Sequence, residues 1–323
     1  MNIKEEFMDE ISAVNDELKR IMPREPKDTF GMIEEYVFRG GKRVRPVISI
    51  ITTKALGGDW RKAIKLGAII ELFHNFTLIH DDIEDSSELR RGKPTLHKLY
   101  GIPIALNSGD ALYTYVWQKV VEECDKELAK KFGETFMRVV EGQGYELYLE
   151  RNEIFDLKEE NYFYLAERKT GALIGLSFAI ASYLSNKKEI WSELYNFGKT
   201  FGVAFQIQDD ILNLTGDIKK YKKKIGDDIT EGKRTLLVIY ALNHLEGKDA
   251  DRLKEILKMH TDDEKLISEA IELINKSGAI EYGRNKAYGM INEAIDRIRG
   301  ILPDNEYSKK IIDMVDYFVK REE

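Results

Sequence analysis

The sequence predicts an all-α fold, on three observations. Only six of its 323 residues are proline, apolar residues recur mostly at helical spacing, and no run of alternating residues reads as strands joined by hairpin turns. Asp9–Ile21 reads as a helix with Ile11, Val14, Leu18 and Ile21 on one face. Leu66–Ile83, Leu128–Leu149, Tyr162–Leu184, Glu193–Leu214 and Leu236–Leu245 are apolar over wide arcs, the pattern of buried helices. Three amphipathic patterns follow at Ala250–Met259, Asp263–Lys276 and Ala279–Arg299, then a short one from Tyr307. Loops are expected where glycine, proline and charge cluster, at Gly40–Pro46, Ser86–Pro94, Gly101–Pro103 and Gly216–Lys233. No repeat, low-complexity tract or composition break marks a linker, so residues 1–323 read as a single domain.

Composition narrows the class without naming an activity. A hydrophobic share of 43% beside 33% charged residues suits a globular chain with a sizeable core. The net charge of −7 gives the whole chain no electrostatic footprint for nucleic acid, so a basic site for an anion must be local. Cys124 is the only cysteine, which rules out an internal disulfide and fits a reducing cytoplasm. Met1 to Arg20 alternates charged and apolar residues, unlike a signal peptide. Pro46–Thr53 and Leu66–Phe73 are too short or interrupted to span a bilayer, so no stable membrane insertion is expected.

Chemistry enters with the carboxylates. Asp81-Asp82-Ile83-Glu84-Asp85 ends an apolar helix, with Asp81 and Asp85 four apart on one face. Like charges there repel unless a cation sits between them, and helix C-termini ordinarily disfavour carboxylates. A hard divalent cation with oxygen ligands answers both points, and Mg²⁺ typically takes one or two carboxylates plus substrate phosphates. Asp209-Asp210 ends a second apolar stretch, Phe197 to Phe205. Alone such a pair is more often helix surface. Two pairs could face one another across a cavity and hold several cations on one diphosphate.

The basic clusters have matching chemistry. Gly40-Gly41-Lys42-Arg43-Val44-Arg45-Pro46 sets three cations in a glycine-led turn, where the backbone can approach an anion and Arg can fork onto phosphate oxygens. Arg90-Arg91-Gly92-Lys93-Pro94 follows the first carboxylates closely. Lys219–Lys224 with Gly226-Asp227-Asp228 and Gly232-Lys233 looks like a mobile loop over an anionic site. Lys169-Thr170-Gly171 breaks an otherwise apolar helix, and His74 and His80 lie on the helix leading to Asp81. Basic runs are commonly solvated surface and helix histidines commonly structural, so none of these is decisive alone.

In this order, from about Gly40 to about Lys233, the clusters resemble those of the trans-isoprenyl diphosphate synthase (polyprenyl synthetase) family. The resemblance implies an α domain of roughly ten or more helices around a deep central apolar cavity, most like the short-chain geranylgeranyl and farnesyl members, and a homodimer. It further implies that Asp81 and Asp85 bind two Mg²⁺ ions on an allylic diphosphate and Asp209 a third, supported by Asp82 and Asp210. Arg90, Lys169 and Lys224 would hold that diphosphate, with Lys233 closing the loop. Lys42, Arg45, His74 and Arg91 would hold the diphosphate of isopentenyl diphosphate, and Thr170 and Gln206 would line the reacting centre. The family's second motif usually ends in aspartate; here it is Asn213, expected to tune metal affinity.

The implied reaction ionises the allylic carbon–oxygen bond, and the isopentenyl double bond attacks the cation. No general base is evident near the clusters, and in the family the departing diphosphate is thought to take the proton. Phe76 lies five residues before Asp81, roughly 7–8 Å away at about 1.5 Å per residue, and Phe73 roughly 12 Å. Thr77 is small and leaves the upper channel open. Family members making very long products tend to have small residues near the position of Phe76. The resemblance therefore implies an aromatic floor at Phe76 and a product of roughly fifteen to twenty carbons, geranylgeranyl diphosphate favoured over farnesyl diphosphate because Thr77 is not aromatic. Both phenylalanines could instead be plain core. A class I terpene cyclase lacks a need for the second anion site, and a non-catalytic subunit would be expected to lose metal ligands.

Overall fold

The computed structural model describes residues 2–215 and 225–321; Lys224, and with it the Lys219–Lys224 run, lies outside the described residues. The chain packs as two compact units, each gathered from three stretches. The first comprises Met1–Glu134, Leu176–Leu194 and Leu302–Ile311, the second Thr135–Gly175, Tyr195–Ile301 and Ile312–Glu323. The expected all-helical architecture is observed.

The chain opens with α1 (Ile3–Glu6), α2 (Met8–Ile21), α3 (Lys27–Val37), α4 (Val44–Ala55) and α5 (Trp60–Glu84). A two-residue ribbon, β1 (Leu89–Arg90) with β2 (Lys93–Pro94), leads to α6 (Leu96–Tyr100) and α7 (Ile102–Glu123). Helix α2 keeps the expected stripe, burying Val14 and Leu18. In α5, Asp59 Oδ1 accepts from the backbone N–H of Arg61 and Lys62, and almost every residue from Leu66 to Phe73 is buried. That helix packs on both α4 and α7, which explains why it is apolar all round.

Three loop expectations are corrected here. Gly40–Pro46 is not wholly loop, since α4 already begins at Val44; proline in a first turn lacks only an N–H that has no helical partner. Gly101–Pro103 likewise opens α7. Within Ser86–Pro94 the chain forms a hairpin where none was expected. Its register pairs Leu89 with Pro94 and Arg90 with Lys93, and both corner residues, Arg91 (φ 55°) and Gly92 (φ 76°), are left-handed.

Beyond these come α8 (Lys126–Arg151), α9 (Glu159–Ala166), a π-helical turn at Glu167–Gly171, and α10 (Ala172–Leu184). Next are α11 (Trp191–Thr215), the single turn α12 (Asp227–Thr230), α13 (Leu236–His244), α14 (Lys248–Met259), α15 (Glu264–Lys276), α16 (Ala279–Arg299) and α17 (Glu306–Lys320). The expected polar break at Lys169–Gly171 is the π turn, which adds one residue to a turn and re-aims the side chains around it. Helices α14 and α15 are amphipathic, with Leu253, Ile256, Leu257, Ile267, Ala270 and Ile274 inside. Among the described residues no helix is long and apolar enough to cross a membrane.

Candidate active site

In the first unit a close backbone approach underlies the basic cluster. A Cβ on Gly67 would lie 3.0 Å from Pro46 Cα, so α5 can meet the start of α4 only because residue 67 is glycine. One turn on, Glu71 Oε1 accepts from Arg43 Nη1 at 2.8 Å. Arg43, left-handed at φ 49°, is buried and further satisfied by Asn15 Oδ1 (3.1 Å) and the Val37 carbonyl (2.8 Å). Of the three cations in this turn, Arg43 is therefore turned inward as structure. Lys42 is exposed and Arg45 half-buried.

Arg91 joins them from the hairpin. Its Nη2 lies 3.1 Å from where a Cβ on Gly41 would stand, and its buried Nη1 has no acceptor within hydrogen-bond reach among the described residues. Burial pulls the Arg91 pKa down, and Arg43 and Arg90 add to this against Glu71. His74 is pushed well below its usual value, first by burial, then by Arg45, Arg91, Arg90 and Arg43. It is neutral near pH 7 amid converging positive charge. The arrangement suits an anion.

The first carboxylate pair divides its labour. Asp82 is 1% exposed; its Oδ2 accepts from Tyr36 Oη at 2.7 Å, and its Oδ1 from Arg90 Nε at 2.7 Å, with Arg90 Nη2 at 2.6 Å. Burial raises the Asp82 pKa against the pull of Arg90 and Tyr36. Burial works against the Arg90 charge, yet Asp82 outweighs it and the guanidinium's pKa is raised. The hairpin is fastened to α3 as well, Lys93 Nζ pairing with Glu35 Oε1 at 3.0 Å, and Arg39, just past that helix, donates from Nη1 to the Pro94 carbonyl at 2.6 Å. Asp81 and Asp85 stay half-buried at the end of the helix.

Down the same helix, Phe73 and Phe76 sit with ring centroids 5.4 Å apart. Both meet Tyr113 of α7, Phe76 at 4.9 Å and Phe73 at 6.3 Å, and Trp117 continues the group 6.5 Å from Tyr113. His80 lies edge-on to Phe76 at 4.8 Å. Thr77 turns its hydroxyl back onto the His74 carbonyl at 2.8 Å. The sequence reading missed Tyr113; Pro103, in the first turn of α7, is the start signal that exposes a Tyr113/Trp117 pair one turn apart.

In the second unit two further glycines set the spacing. A Cβ on Gly202 of α11 would fall 2.6 Å from Gly171 Cα, and one on Gly142 of α8 would fall 2.5 Å from the Lys169 nitrogen. One turn past Gly142, Glu146 takes Lys169 Nζ in an ion pair. One turn past Gly202, Gln206 Oε1 accepts from Thr170 Oγ1 at 2.8 Å. Gln206 Nε2 then donates to Asp210 Oδ1, and Tyr162 Oη to Asp210 Oδ2, both at 2.9 Å. The expected Thr170 and Gln206 thus sit on a relay ending at the second carboxylate pair.

Asp210 is only 4% exposed; burial first, then Asp228 and Asp209, pushes its pKa up to about 8. Carboxylates crowded until one prefers its proton are a donor set that suits a cation. Among the described residues no three His, Cys, Asp or Glu side chains form a metal cage. Asn213 has a structural role the sequence did not show: its Oδ1 accepts the Asp228 N–H at 3.3 Å, its carbonyl the Gly226 N–H at 2.9 Å. Lys233 is paired with Glu231, and Asp209 with Arg321 just past α17.

Comparison with known proteins decides the family. The polyprenyl synthetase model matches residues 27–274. The chain is a member of that family. It is 35% identical over 303 residues to the short chain isoprenyl diphosphate synthase of Methanothermobacter thermautotrophicus, covering 92% of this chain and 91% of the other. It is 34% identical to the geranylgeranyl pyrophosphate synthase of Geoglobus acetivorans, with 99% of each covered. Among solved structures, the geranylgeranyl pyrophosphate synthetase of Pyrococcus horikoshii superposes with a TM-score of 0.89 at 33% identity, covering 99% and 97% of the chains. The polyprenyl synthase of Caulobacter crescentus, complexed with calcium and isoprenyl diphosphate, gives 0.91 at 25%, again covering 99% and 97%. The aspartate pairs of this polyprenyl synthetase share one pattern. The second member is buried and tied by a tyrosine hydroxyl plus one other side chain, while the first keeps partial solvent access.

Proposed function

We propose that this chain condenses isopentenyl diphosphate head to tail with an allylic diphosphate in the presence of Mg²⁺, forming a short-chain trans-prenyl diphosphate, chiefly geranylgeranyl diphosphate. The matched anchoring of Asp82 and Asp210 carries the reading. Each pair spends one carboxylate on rigidity and keeps its neighbour for a cation. Asp81, Asp85 and Asp209 would hold about three Mg²⁺ ions, whose chemistry is to screen the charge gathering on the departing diphosphate. Arg90, steadied by Asp82, and Lys169, steadied by Glu146, would bind that diphosphate, together with Lys224 and Lys233. Lys42, Arg45, neutral His74 and Arg91 would receive isopentenyl diphosphate; the buried Arg91 Nη1 supports this, because a phosphate oxygen supplies the acceptor it needs.

Thr170 and Gln206 would orient the reacting centre through their shared hydrogen bond. Phe76, backed by Phe73 and Tyr113, would stop the growing tail. A homodimer is part of the proposal: Leu99, Tyr100, Ile102, Ile104 and Leu106 expose apolar side chains along α6 and the start of α7, a surface suited to a second copy.

The test is incubation with Mg²⁺, isopentenyl diphosphate and dimethylallyl, geranyl or farnesyl diphosphate in turn, with products dephosphorylated and weighed by mass spectrometry. A ladder stopping at geranylgeraniol is expected. A stop at farnesol reassigns the product. A hydrocarbon formed without consumption of isopentenyl diphosphate makes the chain a cyclase, and no turnover makes it a non-catalytic subunit.

A further inference from the structure

Arg321 is held at three points in the second unit. Its carbonyl accepts from Gln208 Nε2 at 2.5 Å. Its guanidinium carbon lies 4.7 Å from the ring centre of Phe205 and 5.5 Å from that of Phe318, and these rings meet edge to face at 5.5 Å. Its Nη2 reaches Asp209 Oδ1. The side chain is 8% exposed and that of Asp209 30%. A flat cation clasped by two rings and a backbone tie has lost its freedom before it meets the carboxylate, so the pair does not depend on chance encounter as a surface ion pair does.

We propose that Arg321 is the resident counter-ion of Asp209, and that it sets the divalent-cation concentration at which this carboxylate becomes available. The inference rests on Asp209 being a cation ligand, as argued above. Electrostatics decides its direction. A guanidinium on Oδ1 repels any second positive charge brought to the same carboxylate, so a divalent cation must either displace Arg321 or bind against its field. Neutralising residue 321 therefore strengthens cation binding, whereas mere damage to the fold would weaken it.

Mn²⁺ titration of the full-length protein, with free ion followed by electron paramagnetic resonance, reads this without turnover. Arg321→Gln is expected to bind Mn²⁺ roughly fivefold more tightly at one site, the factor that releasing a modest ion pair supplies. Arg321→Lys keeps the charge and should stay within about twofold of wild type by the same reasoning. Asp209→Asn should abolish the site in both the wild-type and the Arg321→Gln backgrounds. Circular dichroism melts confirm that each variant is folded. Equal or weaker binding by folded Arg321→Gln, with an Asp209-dependent site still present, overturns the counter-ion role alone. Absence of any Asp209-dependent binding in either background overturns the cation reading of Asp209 and this inference with it.

Discussion

At the scale of single residues, the second aspartate of each pair has two donors fixed upon it, so its contribution is position. Phe76 is different: its ring is one wall of an aromatic group, and the proposed floor would act through its size. Phe76→Ala should lengthen the product by at least one isoprene unit, as read by mass spectrometry. An unchanged product distribution would return Phe76 to the ordinary core. His74 supplies a pH dependence with a definite sign. Its imidazole titrates well below 6.5 in the fold and near 6.5 when unfolded, so below about pH 6.5 the unfolded chain binds more protons. Stability is full above that value and falls as pH drops toward the folded pKa. Asp210, whose pKa is pushed up to about 8, contributes the opposite slope over the same range, so the His74 contribution is read as a difference: between pH 7 and pH 5 denaturant melts of wild type should lose stability relative to His74→Gln as pH falls.

Among elements, the long buried helices were legible because their apolar arcs are wide and long; α8 and α11 match expectation closely at both ends, while α5 matches at its end but begins six residues earlier, at Trp60. Helices α3, α4 and α7 were not read. In α4 the run Val47, Ile48, Ile50, Ile51, Thr52 and Thr53 is β-branched and buried on every side, so neither propensity nor periodicity marks it. The carboxylate and basic clusters were legible as local strings. Their partners were not, because Tyr36 meets Asp82 across 46 positions and Tyr162 meets Asp210 across 48. Helix proximity also yields a prediction. Gly202→Ala would push a methyl into Gly171 and cost about 1–3 kcal/mol of stability through overpacking. Turnover should fall with it as Thr170 and Gln206 separate. A variant that melts and turns over like wild type would show that α11 is not gauged by this contact.

For the whole molecule, what the sequence conveyed best was class, with helices throughout and charge confined to a few junctions. It conveyed least about surfaces, since exposed Leu99, Ile102, Ile104 and Leu106 look like any helical apolar residues until accessibility is known. Sedimentation equilibrium should give a mass twice that of the chain. Replacing Ile104 and Leu106 by Asp should halve that mass while leaving helicity intact, and a monomeric wild type would assign those residues another purpose.

The three close approaches at Gly67, Gly142 and Gly202 have a bearing on how variation in this gene should be interpreted. Each is followed four positions later by the polar side chain that closes a contact, Glu71, Glu146 or Gln206. A helical turn rises about 5.4 Å, so the glycine and the polar residue stand one above the other on the same seam. Substitutions at the two are therefore expected to be energetically coupled. A larger residue at the first site alters how long the second must be, so a substitution that is silent in one genetic background can be harmful in another. Alleles at residues 71, 146 and 206 are best scored together with those at residues 67, 142 and 202.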